Sequence, residues 1–323
     1  MRLLVTGAGG YLGRHVAKRA LAEGHAVRAT LRDAAGRAGA LRADLGAPPD
    51  RLEIVELDLL ADGGWDEAMD GIEGVLHTAS PVPTRGDIAD DAVIRPAVEG
   101  TARVLDAAVR AGVGRAVVTS SIAAILESPG KGRTDLFDET DWTDPDSPRV
   151  RAYARAKTLA EREARRIASR TPGLSLATVN PGYIFGPPLG GPVTSSLTLV
   201  QMLLSGKVPA LPRLSFPSVD VADVAEAHLR ALDAPDGTRA LASGETLTLR
   251  EIADAVRQAV PGARVPRLTL PDWAVRAAAR VSPSLRMVAG SLGNHRRTDP
   301  ASCAALLGRP LADPRPAVAA TAR

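Results

Sequence analysis

The sequence predicts an α/β fold built on a doubly wound parallel sheet, with a smaller subdomain toward the C-terminus. Three observations carry this. Short apolar runs alternate with amphipathic stretches through residues 1–180. The first run, Leu3-Leu4-Val5, passes directly into Thr6-Gly7-Ala8-Gly9-Gly10-Tyr11-Leu12-Gly13 and then into a helix. The last sixty residues lose that rhythm and become rich in Pro, Arg and Ala. Strands alternating with helical patterns are the mark of a parallel sheet covered by crossover helices.

Composition narrows the class. A chain of 323 residues, 45% of them hydrophobic, can bury a sizeable core in one large α/β domain with an appendage. The formal charge of +3, from 40 basic and 37 acidic residues, implies no nucleic-acid partner. The single Cys303 excludes an internal disulfide and reads as a buried small hydrophobe. No signal peptide precedes the first strand and no apolar run reaches membrane-spanning length, so a cytoplasmic protein with no membrane partner is the expectation. His15, His25, His77, His228 and His295 are scattered, form no metal cluster, and read as structural or exposed.

Taken in order, the first strand ends in Gly7, Gly10 and Gly13. Glycines at this spacing let the backbone turn tightly, approach a pyrophosphate without a Cβ in the way, and pack the following helix close to the sheet. The helix N-terminus then offers free N–H groups and a favourable dipole to phosphate. Tyr11, Leu12, Val16, Ala17, Ala20 and Leu21 recur at helical spacing until Gly24. This is the opening of a Rossmann-type dinucleotide site, with Tyr11 and Leu12 beside the cofactor. The second strand, Ala26–Leu31, ends at Arg32, nineteen residues after Gly13, where an acid would bind the ribose diol of NAD. An arginine there suits a 2′-phosphate instead, so NADP (NADPH) is favoured over NAD, with Arg37 as a second contact.

A third strand over 52–57 closes in Asp58-Leu59; Asp58 is either a turn residue or an acceptor for the adenine amino group. The fourth, 74–78, ends at Thr78, and the small Ala79-Ser80-Pro81 leaves room for the nicotinamide ribose. A long helix follows, with Ala97, Thr101, Val104, Leu105, Ala108 and Val109 on one face up to Gly112. The fifth strand, Arg115–Thr119, runs into Ser120-Ser121, two hydroxyls at the strand end where such sheets bind ligands. Residues 122–151 lack periodicity and read as an active-site wall.

The helix Ala152–Ser169 opens with Tyr153-Ala154-Arg155-Ala156-Lys157. Residues four apart share a helix face. The pairing is informative because the chain holds only three tyrosines and four lysines among its forty basic residues. With Arg155, Arg162, Arg165 and Arg166 around it, a merely solvated cation would have been arginine. A lysine provides a compact ammonium that can bond a ribose and bias a neighbouring phenol. The sixth strand, 174–179, leads into the rigid loop 180–188, with Pro181, Gly182 and Ile184 at its start. Beyond it come a helix Ser195–Leu204, a short strand near Ser218-Val219, and helices over 220–232 and 249–260. The final sixty residues read as a substrate-covering subdomain and a frayed tail. The organisation expected is a dinucleotide-binding domain over 1–180 with a return segment at about 213–242. A smaller substrate-binding subdomain and tail occupies about 181–212 and 243–323.

The segments Thr6 to Gly13, Thr119-Ser120-Ser121, Tyr153-Ala154-Arg155-Ala156-Lys157 and Asn180-Pro181-Gly182 together resemble the extended short-chain dehydrogenase/reductase family. Val219-Asp220-Val221-Ala222-Asp223-Val224-Ala225 and Leu306-Leu307-Gly308 extend the resemblance over nearly the whole chain. Within the family, Arg32-Asp33, Asp138-Glu139-Thr140-Asp141-Trp142 and the loop 180–188 are most similar to the dihydroflavonol reductase and cinnamoyl-CoA reductase branch, with its aldehyde reductases. Two departures are Ala97-Val98 where relatives often have Asn-Val, and Ala222 in place of a frequent arginine.

The resemblance implies a catalytic set of Ser121, Tyr153 and Lys157, with Ser120 the alternative serine. Tyr153 would donate a proton to a carbonyl oxygen while the nicotinamide delivers hydride to carbon. A free phenol has a pKa near ~10, which the Lys157 ammonium would lower. Lys157 would also bond the nicotinamide ribose, and Ser121 would polarise the carbonyl. The expected activity is NADP-dependent reduction of a ketone or aldehyde, with a small-molecule carbonyl substrate, in a monomer or homodimer. Two other readings stay open: a nucleotide-sugar epimerase or dehydratase with tightly bound NAD, and a nucleotide-sensing module without turnover.

Overall fold

The computed structural model describes residues 1–80, 90–192 and 194–323. The first part follows the expected alternation: β1 (Arg2–Thr6), α1 (Tyr11–Ala22), β2 (Ala26–Leu31), α2 (Ala34–Leu45), β3 (Leu52–Glu56), α3 (Trp65–Met69), β4 (Gly74–His77), α4 (Asp90–Arg110) and β5 (Arg115–Thr119). After β5 come β6 (Leu136–Phe137), α5 (Ala152–Ser169) and β7 (Ser175–Val179). Pro81 lies outside the described residues.

These strands lie in a seven-stranded sheet of order β3-β2-β1-β4-β5-β7-β10, where β10 is Arg239–Ala240. Every pairing in it is parallel. Strand order reverses between β1 and β4, which opens a crevice at the strands' carboxyl ends. The apolar runs are continuous because both faces are covered. Successive side chains of β1 alternate between faces: Leu3 and Val5 join one core with α1 and the later helix at 221–230, while Leu4 joins another with α4 and α5. Ala97, Ala156 and Ala160 are buried between α4 and α5, so these alanines serve close helix packing within the chain.

The remainder comprises β8 (Tyr183–Phe185), α6 (Ser195–Leu204), β9 (Ser215–Asp220), α7 (Val221–Arg230), β10, β11 (Thr246–Thr248), α8 (Leu249–Ala259), α9 (Asp272–Ala278), α10 (Pro283–Ala289), β12 (Arg297–Thr298), α11 (Ala301–Leu307) and α12 (Pro314–Ala322). A second sheet has the order β11-β9-β8, with a third core around Phe185, Leu203, Leu247 and Val256. The return segment 213–242 therefore serves both sheets: β9 lies in the small one, α7 and β10 belong with the large one. β12 pairs with β6 and ties the unpatterned wall to the C-terminal part. Cys303 is buried as expected, its thiol pushed up to about 12 by burial.

One expectation fails. The frayed tail is the helix α12, with Ala317 and Val318 buried in the third core. Thr321 Oγ1 accepts from Gly186 N at 2.8 Å, anchoring the last turn to the loop after β8. Local sequence gave no sign of this because the apolar partners are supplied by α6 and α8 rather than by a strong stripe on the helix itself.

Candidate active site

The crevice is shaped first by what glycine lacks. Gly7 has φ +69°, and a Cβ there would stand 2.8 Å from the Ala79 backbone. A Cβ on Gly13 would overlap the Gly7 carbonyl, which already accepts from Gly10 N at 2.8 Å. Loop and helix α1 thus meet at backbone distance, with the helix N-terminus open to the crevice. Tyr11 donates from its hydroxyl to Gly186 O at 3.0 Å, joining the loop to the segment after β8.

Arg32 is exposed at the end of β2, while Arg37 on α2 donates to Gly9 O at 3.2 Å. Asp33 is the N-cap of α2, its Oδ1 accepting from Gly36 N at 2.8 Å. The carboxylate beside Arg32 is therefore engaged by a helix end. Arg14 was not singled out in the sequence, yet its side chain is buried; it pairs with Asp44 and donates to Leu189 O at 2.9 Å. Its signal was a cation inside the apolar phase of α1, between Gly13 and Val16.

Asp58 is exposed, and its Oδ1 accepts from Leu60 N at 2.9 Å in the turn after β3. Leu59 packs over Gly100. Thr78 Oγ1 donates to Thr6 O at 2.6 Å, and Ala79 N to Thr6 Oγ1 at 3.2 Å, which stitches β4 to β1 at the switch point. Ser80 lines a small cavity with Lys157. Pro181 O accepts from Ile122 N at 3.0 Å and Gly182 N donates to Ala242 O at 3.0 Å, while Ile184 lies in β8.

The two serines after β5 part company because neighbours on extended backbone face opposite sides. Ser120 is buried and donates to Glu161 Oε2 at 2.5 Å. Ser121 has φ −167°; its Oγ accepts from Ala123 N at 3.1 Å and stands beside the Tyr153 phenol. Burial raises the Tyr153 phenol above its ordinary value, and the Ser121 hydroxyl works against it. The lowering expected from Lys157 is not found, because the ammonium points at Thr119 O, 3.1 Å away. Lys157 is buried and pushed down to about 8 by desolvation, opposed by Glu161.

Four residues that the sequence did not place at the site surround this set. His77 sits between Thr6 Oγ1 at 2.7 Å and Thr101 Oγ1 at 3.4 Å, pushed down to about 3 by burial and then by Lys157. His228 holds Thr119 Oγ1 at 2.6 Å and is pushed down to about 4 by burial. Tyr183 packs edge-on against Phe216, ring centroids 4.7 Å apart, and its phenol is raised by burial and by Tyr153 nearby. Glu161 is buried beneath Ser120 and bound to Arg239, which lies over the Trp142 ring at 3.8 Å. Among the described residues no group of three or more His, Cys, Asp or Glu could hold a metal ion. No helix among them is long and apolar enough to cross a membrane.

The fold and this crevice define a dinucleotide-binding α/β protein. The chain belongs to the NAD dependent epimerase/dehydratase family, whose pattern matches residues 3–242, and so to the extended short-chain dehydrogenases/reductases. It is 35% identical over 266 residues to tetraketide alpha-pyrone reductase 2 of Arabidopsis thaliana, covering 80% of this chain and 82% of that one. It is also 35% identical over 260 residues to cinnamoyl-CoA reductase 1 of Oryza sativa subsp. japonica, covering 80% and 75%. Among solved structures, the yeast methylglyoxal/isovaleraldehyde reductase Gre2 complexed with NADPH superposes with a TM-score of 0.81 at 25% identity, covering 100% of this chain and 97% of that one. These relatives are oxidoreductases.

Proposed function

We propose that the protein is an NADP-dependent carbonyl reductase acting on a ketone or aldehyde. The observation that carries the reading is the convergence of Ser121, Tyr153 and Lys157 at the switch-point crevice, with the Ser121 hydroxyl beside the Tyr153 phenol and Lys157 donating to Thr119 O at 3.1 Å. The residues fit a dinucleotide: the Gly7–Gly13 cradle leaves no room for a Cβ, and the α1 N-terminus faces the crevice. Arg32 and Arg37 suit a 2′-phosphate, and the carboxylate next to them already caps α2. That engagement weighs against the NAD-retaining epimerase reading. Gre2, solved with NADPH, supports the same cofactor.

When bound, the reduced cofactor supplies the hydride. Tyr153 gives its proton to the substrate carbonyl oxygen, and Ser121, beside that phenol, orients and polarises the same oxygen. Lys157, which donates to Thr119 O from the same helix face as Tyr153, would bond the nicotinamide ribose hydroxyls when the cofactor is bound. His77 and His228, both neutral at pH 7, hold Thr6 and Thr119 in place and add no competing charge.

The test is NADPH oxidation, followed by absorbance, against a panel of aldehydes and ketones with wild-type protein and Tyr153→Phe. The phenylalanine keeps the ring's packing and deletes the acid, so kcat falls by at least about 100-fold while NADPH affinity stays near wild type. A variant retaining more than about a tenth of the rate, well short of that range, would show that Tyr153 is not the acid.

A further inference from the structure

Glu161 follows Lys157 by four residues on α5, as Lys157 follows Tyr153, so the three share one helix face. Its side chain is fully buried and both oxygens are engaged. Oε2 accepts from Ser120 Oγ at 2.5 Å and Asn180 Nδ2 at 2.8 Å. Oε1 accepts from Arg239 Nε at 2.6 Å and Thr178 Oγ1 at 3.2 Å. Arg239 in turn donates to Glu139 O at 2.8 Å and Asp141 O at 2.5 Å, and covers Trp142. A buried ion pair is seldom more stabilising than apolar residues of the same volume. Its position supplies a second reason for its presence.

Lys157 and Glu161 line one cavity of about 10 Å³, together with His77, Thr101 and Ser120. That is the room of about one water molecule. The charged and titratable groups facing Lys157 are Tyr153 and Glu161 from α5, His77 from β4, and His228 from α7 by way of Thr119. Arg239, from β10, and Arg165, from α5, stand beyond Glu161, the latter with Nε 3.4 Å from Oε1. Both histidines are held neutral by burial. Glu161 is thus the anion acting on the ammonium among the described residues. Asn180 Nδ2 also donates to Ser121 O at 3.3 Å, so the same carboxylate reaches the backbone of the serine beside Tyr153.

We propose that Glu161, gripped by Arg239, is a positioning residue of this site: it supplies the counter-charge for the Lys157 ammonium across their shared cavity and fixes Ser120 and Asn180 around Ser121. The inference rests on the reading of Ser121, Tyr153 and Lys157 as the catalytic set. Burial draws Lys157 down to about 8 even with Glu161 opposing it. Without the carboxylate the ammonium loses its proton at lower pH, and the alkaline limb of kcat/KM moves toward neutrality.

The experiment compares pH profiles of NADPH-dependent carbonyl reduction for wild type, Glu161→Gln, Glu161→Asp and the double variant Glu161→Gln/Arg239→Met. Circular dichroism checks folding. The double variant removes both buried charges, so it keeps the question open to measurement if the single glutamine variant unfolds with an orphaned guanidinium. Both glutamine forms are expected to shift the alkaline limb down by about one pH unit, with Glu161→Asp recovering most of the wild-type profile. A wild-type limb in the folded glutamine forms overturns the proposal. So does an aspartate variant displaced as far as the glutamine ones. Tyr153→Phe runs alongside: retained turnover there overturns the catalytic set itself, a result separable from an unmoved limb in a protein whose Tyr153→Phe form is dead.

Discussion

The two halves of the crevice are built by different means. On the dinucleotide side, at β1, α1 and β2, the shape comes from missing side chains: Gly7 and Gly13 let loop, helix and β4 meet at backbone distance. On the other side the shape comes from side chains carrying charge, with Ser120, Glu161, Thr178, Asn180 and Arg239 joined in one buried network. The first half is a local property of eight consecutive residues. The second gathers partners from β5, α5, β7 and β10, with Glu161 and Arg239 78 positions apart. The dinucleotide side should therefore fail by steric exclusion, and the polar side by leaving charges uncompensated.

The largest expected effect tests the polar side. Arg239→Met deletes a guanidinium whose side chain is 6% exposed and leaves the Glu161 carboxylate buried without its main partner. Breaking one side of such a pair typically costs about 3–5 kcal/mol. The urea midpoint of Arg239→Met should fall accordingly, and Glu161→Gln/Arg239→Met should recover a large part of the loss. Equal losses in both forms would mean that packing against Trp142, rather than charge, is what Arg239 contributes.

Acid gives the next effect. His77 and His228 titrate near ~6.5 in an unfolded chain but are pushed down to about 3 and about 4 in the fold. Protonation therefore favours the unfolded state. Their contribution is intact above about 6.5 and is lost as pH falls toward those values. His15 and His25, also lowered by burial, act in the same direction. Between pH 7.5 and 5 each fully buried imidazole should remove on the order of 2 kcal/mol, read as a falling urea midpoint. His228→Gln should flatten the slope; an unchanged slope would place the acid sensitivity elsewhere.

On the dinucleotide side, Gly13→Ala is expected to weaken NADPH binding by about tenfold to a hundredfold, in line with the usual 1–3 kcal/mol for overpacking. The added methyl falls on the Gly7 carbonyl and within 2.8 Å of Thr78 Oγ1. Gly39→Ala on α2 is the control, because nothing stands within 4 Å of the new carbon. If the two substitutions behave alike, the cradle is looser than its geometry indicates.

The same contrast explains what the sequence disclosed. Helices Ala152–Ser169 and Ser195–Leu204 were readable end to end, because each carries its own apolar phase. The glycine loop was legible because backbone demands are written in consecutive residues. The order within Ser120-Ser121 was not, since one residue of register separates a serine facing Glu161 from one facing Tyr153. The strand β10 escaped notice because it is two residues long and contains Arg239. Asp33, next to Arg32, has its place explained only by the fold, where it caps α2. Long-range polar partners leave no periodic trace, so nothing in the sequence set Glu161 apart.

The smallest expected effect concerns the strut behind the dinucleotide side. Gly186 O accepts from Tyr11 at 3.0 Å, while Gly186 N donates to Thr321 Oγ1 at 2.8 Å, so one residue links the glycine loop to α12. The Thr321 hydroxyl hands its own proton to Gly186 O or Ala317 O. Thr321→Val keeps the shape and removes the oxygen, leaving a buried N–H unpaired, which costs about 1–3 kcal/mol when no water reaches it. Because Thr321 is partly exposed, the low end applies, and the urea midpoint should drop by an amount equivalent to about 1 kcal/mol. NADPH affinity should change less than in Gly13→Ala, since the Tyr11 bond survives. A silent Thr321→Val would mean that α12 adds nothing through this bond, and the glycine loop would then stand on its own backbone geometry alone.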